Sequence, residues 1–177
     1  MKIVIDSPPR TMMEVYKMLP EGTLAELVDN ILYMSPSPVF NHHNVGKAIL
    51  RKLLEFEDTG KGSIFSAPFD VYLDETQNAV QPDLFVVLNA NRHIIDTKGH
   101  IHGVPDLIIE ILSPGNEKHD LVRKKALYER FGVKEYWIVN PDNKLAMGFA
   151  LRDKAYQLIA EDVGLVKSTL LQASFTF

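Results

Sequence analysis

An α/β sandwich with a mixed sheet is the fold this sequence predicts. Three observations carry that expectation. PDLFVVL (82–88) and DLIIEIL (106–112) are nearly continuous in apolar residues, as strands covered on both faces are. Segments 41–56 and 118–131 carry apolar residues at helical spacing. Strands and helices do not alternate regularly, which argues against a βαβ series. The 177 residues fit one domain, 1–177, with a real core.

Taken in order, TMME (11–14) has capping-box spacing and predicts a short helix. AELVD and ILYMS flank Asp29-Asn30 and predict a hairpin. Pro36 and Pro38 break its second strand. A helix is expected over 41–56, with Val45, Ile49, Leu53 and Phe56 on one face. APFDVYL, PDLFVVL and DLIIEIL follow as strands. The next helix, 118–131, ends at Gly132, well suited to a C′ position. EYWIVN is a further buried strand. LAMGFALR and AYQLIAED form an outer hairpin that turns at Arg152-Asp153-Lys154, and LLQASFTF supplies one more strand. The expected whole is a mixed central sheet flanked by helices, with an N-terminal helix and hairpin and a C-terminal β-hairpin.

Composition narrows the chemistry. The chain has no cysteine, which removes disulfides, thiolate metal sites and cysteine nucleophiles and suits a cytoplasmic protein. It has no apolar run of about 18 residues and no apolar signal-peptide core at its start, so no membrane partner is expected. The formal net charge is −4. Proteins that hold nucleic acid by bulk charge are usually basic. Any nucleic-acid contact here is therefore expected to be local or assisted by bound metal.

The informative residues are acids on the apolar runs. Glu110 lies within DLIIEIL, where an unpaired carboxylate is costly and must be paired, protonated or metal-bound. Asp83 opens the preceding run, directly after Pro82. Asp106 also follows a proline, but it is four residues from Glu110 on one strand, about 13 Å away. Asp83, on another strand, can sit beside Glu110, so these two are the expected pair and Asp106 has a structural or accessory place. Two carboxylates with waters and substrate phosphates suit a hard ion such as Mg2+. The histidines show no strong zinc pattern: His42-His43 are adjacent, His100-x-His102 is loop-like, and most are expected to be solvated or structural.

A lysine completes the group. At about 100° per residue, Lys124 falls within the arc of Leu121, Leu127, Tyr128 and Phe131, and Lys125 falls at its edge. Either Lys124 snorkels to water or it points at the carboxylates. Asp120 stands one turn earlier and could pair with it. Arg123, Lys125 and Lys118 are expected on a solvated face or a phosphate backbone. His42 joins the buried stripe at its helix N-terminus, where free N–H groups favour anions, as a phosphate contact or a satisfied core histidine. Glu26 is either a further acid near the metal or an exposed hairpin residue. Carboxylates that hold a divalent ion beside a lysine point to metal-dependent cutting of phosphodiesters.

The string PSPVFNHHNV, the PDLFVV strand, GVPDLIIEILSP, and a D-x-x-x-K-x-x-x-Y helix before FGVKEYWIVNP resemble the Uma-type restriction endonucleases of the PD-(D/E)XK nuclease superfamily. The resemblance covers roughly residues 26–141. It implies a restriction-endonuclease-like core, with Asp83 as the PD acid, Glu110 as the second acid and His42 as the histidine after the proline-rich strand end. Leu112 stands where the superfamily usually has lysine, and Lys124 matches a lysine supplied from the following helix. The activity implied is Mg2+- or Mn2+-dependent hydrolysis of DNA, with the ion held by Asp83, Glu110 and the Ile111 backbone carbonyl. RNA and branched DNA stand as alternative substrates. A nuclease-fold module that binds nucleic acid or a protein without cutting is the alternative function. A homodimer would suit cutting both strands.

Overall fold

Local sequence signals set most of the elements. The computed structural model describes residues 8–113 and 119–177. Helix α1 is Met12–Lys17, and its N-cap Thr11 accepts the Glu14 amide through its side chain. Strands β1 (Ala25–Val28) and β2 (Ile31–Met34) pair through a turn in which Asp29 and Asn30 both have positive φ. That two-residue turn matches the right-handed twist of the strands it joins. Helix α2 spans Phe40–Glu57 and buries Val45, Ile49, Leu53 and Phe56, each worth about 1.5–3 kcal/mol relative to exposure.

The remaining strands are β3 (Gly62–Ser66), β4 (Val71–Tyr72), β5 (Ala79–Val80), β6 (Leu84–Leu88), β7 (Ile101–His102), β8 (Leu107–Ile111), β9 (Glu135–Val139), β10 (Leu145–Arg152), β11 (Ala155–Val163), β12 (Leu165–Ser168) and β13 (Ala173–Thr176). A 3-10 segment, Asn89–Ile94, follows β6. Helix α3 is Lys125–Phe131, capped by Gly132 in the left-handed region.

Six strands form the main sheet, in the order β11-β10-β9-β8-β6-β3. Its centre mixes directions, with β8 parallel to β9 and antiparallel to β6. Side chains alternate across it. Leu84, Val86, Leu107, Ile109, Ile111, Trp137 and Val139 pack with the α2 stripe. Phe85, Val87, Ile108, Tyr136 and Ile138 pack with Leu127 and Tyr128 of α3. The mixed sheet flanked by helices is thus the expected one. The N-terminal hairpin, however, belongs to a second sheet, β2-β1-β5-β4-β7, whose Val28, Val71, Val80 and Ile101 share the α3-side core.

Two glycines permit close packing. A Cβ on Gly46 would meet Ile111 Cδ1 at 3.1 Å, so its absence lets α2 lie tightly on β8 one turn after His42. Gly148 lies opposite Trp137 in the β9–β10 register, and a Cβ there would come within 2.5 Å of the indole.

Several expectations need correction. The helix expected over 118–131 is not uniformly α-helical: His119–Lys124 are π-helical and only then does α3 begin. Its expected start at Lys118 lies outside the described residues. APFDVYL is a strand only at Val71–Tyr72. β3, β5, β7 and β12 are short or polar and were not expected; β3, β5 and β7 take partners distant in sequence, whereas β12 forms a local hairpin with β13. No helix among the described residues is long and apolar enough to cross a membrane.

Candidate metal-binding and catalytic cleft

Strand register brings the two acids together. With Leu84 opposite Ile109 in the antiparallel β6–β8 pair, Asp83 sits beside Glu110. Its Oδ2 accepts the Ile111 amide at 2.7 Å and lies 3.2 Å from His42 Nε2, in the first turn of α2. Among the described residues no hydrogen bond engages Asp83 Oδ1, so that oxygen is open to a ligand.

Glu110 points to the α3 face of the main sheet. Alternation within β1 sends Ala25 and Leu27 toward α1 and Glu26 with Val28 toward the main sheet. Lys124 Nζ lies between the two acids, 2.9 Å from Glu26 Oε1 and 2.8 Å from Glu110 Oε1. Tyr128 donates its hydroxyl to the same Glu110 oxygen at 2.7 Å, and the Gln81 amide donates to Glu26 Oε1 at 2.9 Å. Glu26, Glu110 and Lys124 are all buried. Lys124 therefore does not snorkel, and Glu26 is not an exposed hairpin residue. Burial, and then the Glu110 charge, push the Tyr128 hydroxyl well above its ordinary value, so it remains a donor.

The π-helical turn leads the chain into α3 with Lys124, Leu127 and Tyr128 buried on one side. Such a turn is a rare local irregularity that recurs at functional sites. Tyr128 was in the predicted apolar arc but was not named as a site residue. Its i, i+4 spacing from Lys124 was the available signal.

These groups line a cleft of about 330 Å³ whose wall includes Glu26, Tyr33, His42, Asp83, Glu110 and Lys124. Among the described lining residues, three carboxylates stand against one ammonium, a net −2 when all are ionised and before His42 is counted. Oxygen donors, excess negative charge and a concave opening fit a hard divalent ion. Ile111 also lines the cleft.

The other expected residues fall elsewhere. Asp106 is fully buried but does not line the cleft. Its Oδ2 accepts from the Leu88 amide at 2.8 Å and Asn91 Nδ2 at 3.2 Å, and its Oδ1 from Lys134 Nζ at 2.7 Å. The side chain of Asp120 lies outside the described residues. Arg123 donates to the Tyr33 hydroxyl at 2.6 Å, at the cleft wall. Lys125 Nζ stands 3.8 Å above the centre of the Phe149 ring, so it packs on an aromatic face rather than projecting into solvent.

Comparison with known proteins agrees with this architecture. The family model described as "Uma2: Putative restriction endonuclease" matches residues 12–174. Among solved structures, one described as a putative nuclease belonging to DUF820 from Anabaena variabilis superposes with a TM-score of 0.74 at 18% identity. The match covers 93% of this chain and 92% of that one, and it establishes the shared fold. No curated protein matches the chain.

Proposed function

From the premise that the chain belongs to the Uma2 family, we propose that it is a Mg2+- or Mn2+-dependent endonuclease hydrolysing DNA phosphodiester bonds in the Asp83–Glu110–Lys124 cleft. The observation that carries this reading is the meeting of Asp83, just before β6, Glu110 of β8 and Lys124 of the π-helical turn at one concave, net-negative site.

Asp83, Glu110 and the Ile111 carbonyl are the groups that would hold the ion. When bound, the ion supplies Lewis acidity toward the phosphate and its attacking water. Lys124 Nζ, 2.8 Å from Glu110 Oε1, would orient that water or stabilise charge on the phosphate. His42 Nε2, 3.2 Å from Asp83 Oδ2, would take a phosphate oxygen or a proton. Glu26 sets the position of Lys124 from the opposite side.

The test is cleavage of plasmid DNA. The protein should nick or linearise it in Mn2+, EDTA should stop the reaction, and folded Glu110→Gln protein should not cut. A folded Glu110→Gln protein that cuts as fast as wild type overturns the assignment. RNA and branched DNA run beside the plasmid identify the substrate.

A second reading is a module that binds nucleic acid or a protein without cutting. It is favoured by Leu112 in the place of the superfamily lysine and by the net charge of −4. Wild-type protein that binds Mn2+ but cuts none of these substrates would select it.

A further inference from the structure

The hairpin entering β7 collects a second set of metal-ligating side chains, away from the cleft. Asp96, His100 and His102 each offer a ligand atom, and these atoms all lie within 4.8 Å of one another. Asp96 Oδ2 is 3.5 Å from His100 Nδ1 and 3.6 Å from His102 Nε2. Ligands about 2.0–2.1 Å from a tetrahedral ion are about 3.3 Å apart, so two edges of the triangle are already close to that spacing. None of the three lines the cleft that holds Asp83 and Glu110.

The surroundings orient the ligand atoms of Asp96 and His102. Asp96 Oδ1 accepts the amides of Lys98 at 2.7 Å and His100 at 2.9 Å, which turns Oδ2 toward the imidazoles. The Asp96 amide donates to the His100 carbonyl at 2.9 Å, and Ile95 bridges Ile101, so the turn that carries the ligands is closed by backbone bonds. Gly99, at φ +86, makes that turn feasible. Glu75, from the β4–β5 turn, places Oε1 2.5 Å from His102 Nδ1. A carboxylate on one imidazole nitrogen holds the proton there and presents the other nitrogen's lone pair, the arrangement that supports metal-binding histidines. The nitrogen so presented is Nε2, the atom that faces Asp96. The ring is further held by stacking on Tyr72, with centroids 5.0 Å apart. Lys17 Nζ, 3.0 Å from the other Glu75 oxygen, holds that carboxylate in turn.

We propose that Asp96, His100 and His102 bind a transition-metal ion of the zinc class, with Glu75 as the positioning residue of His102. Two imidazoles and one carboxylate select a borderline ion such as Zn2+, Co2+ or Ni2+ over Mg2+. Three protein ligands leave one position for water. The site, with two imidazoles and one carboxylate, is chemically distinct from the carboxylate-rich cleft, and its occupancy does not depend on the nuclease reading. The bound ion would tie the β7 hairpin to the β4–β5 turn through Glu75.

The probe is Zn2+ itself, titrated calorimetrically into the tag-free full-length protein in excess Mg2+, with Co2+ absorption as a readout of imidazole coordination. One Zn2+ per chain should bind, with a rise in melting temperature. His100→Ala and His102→Gln should each remove that binding and the Co2+ bands, with unchanged melting in EDTA. Glu75→Gln should weaken binding about 10–100-fold, and Asp83→Asn should leave it intact. Failure of wild type to bind Zn2+, or binding that survives both histidine substitutions, overturns the proposal. So does binding that Asp83→Asn abolishes.

Discussion

The two ends of β8 each carry a carboxylate paired with a lysine, yet they differ in nearly every other respect. Asp106, just before the strand, is enclosed. Both of its oxygens are taken, by the Leu88 amide, Asn91 and Lys134, and the Lys134 side chain is 56% exposed. Glu110, at the other end, meets a lysine whose side chain is only 5% exposed and which also contacts a second buried acid. In the first case the lysine reaches in from water and backbone amides share the charge. In the second, charge is concentrated where water is scarce and the cleft begins. A buried acid–lysine pair is therefore not by itself a mark of chemistry. What distinguishes the Glu110 end is surplus carboxylate charge beside an open concavity.

The largest expected difference between the ends is in activity. Under the proposed function, Asp83→Asn should lower the DNA-cutting rate by about 100-fold or more, the scale of losing one group that stabilises the transition state. Lys134→Met should leave that rate unchanged. Single-turnover cleavage under conditions where both proteins are folded measures the contrast. Equal losses would erase the distinction drawn between the two ends.

Stability should separate them next. Lys124→Met removes the buried ammonium shared by Glu26 and Glu110, and urea unfolding should record a loss of about 3–5 kcal/mol. Lys134→Met should cost about 1 kcal/mol or less, because water can reach Asp106 along the path the lysine vacates and two donors remain. A Lys124→Met protein as stable as wild type would show that the Lys124 ion pairs do not stabilise the Glu110 end.

The smallest effect is in alkaline solution. The Tyr128 hydroxyl is raised well above its ordinary value by burial and then by Glu110. A raised acid binds its proton in the folded state after the unfolded chain has lost it. Its contribution is fully present below pH about 10 and declines as pH rises toward the folded value. Wild type should lose stability above pH 10 more steeply than Tyr128→Phe, by up to about 1.4 kcal/mol per pH unit. Parallel slopes from urea melts between pH 9 and 11 would remove Tyr128 from the Glu110 network. The Asp106 end has no tyrosine among its hydrogen-bond partners and contributes nothing to this difference.

Much of this molecule is legible along the chain because it depends on near neighbours. The apolar runs of β6 and β8, the α2 stripe, the Asp29-Asn30 turn and the Gly132 cap are all local patterns of alternation, helical spacing or backbone conformation. The cost of burying Glu110 was also visible from its neighbours alone, and strand length alone placed Asp106 away from it. Other features arise only when distant segments meet. Lys124 was readable as a residue on an apolar arc, but its two partners come from β1 and β8, and no spacing along the chain joins Glu26 to Glu110. The π-helical turn before α3 has no sequence period of its own. His100 and His102 looked like loop residues because the carboxylates beside them are Asp96, across a hairpin, and Glu75, on another turn. The sequence by itself determined the apolar central strands, the α2 stripe and the cost of burying Glu110. Only the tertiary structure decided which charges neutralise one another, because Coulomb and hydrogen-bond energies depend on distance and burial in space.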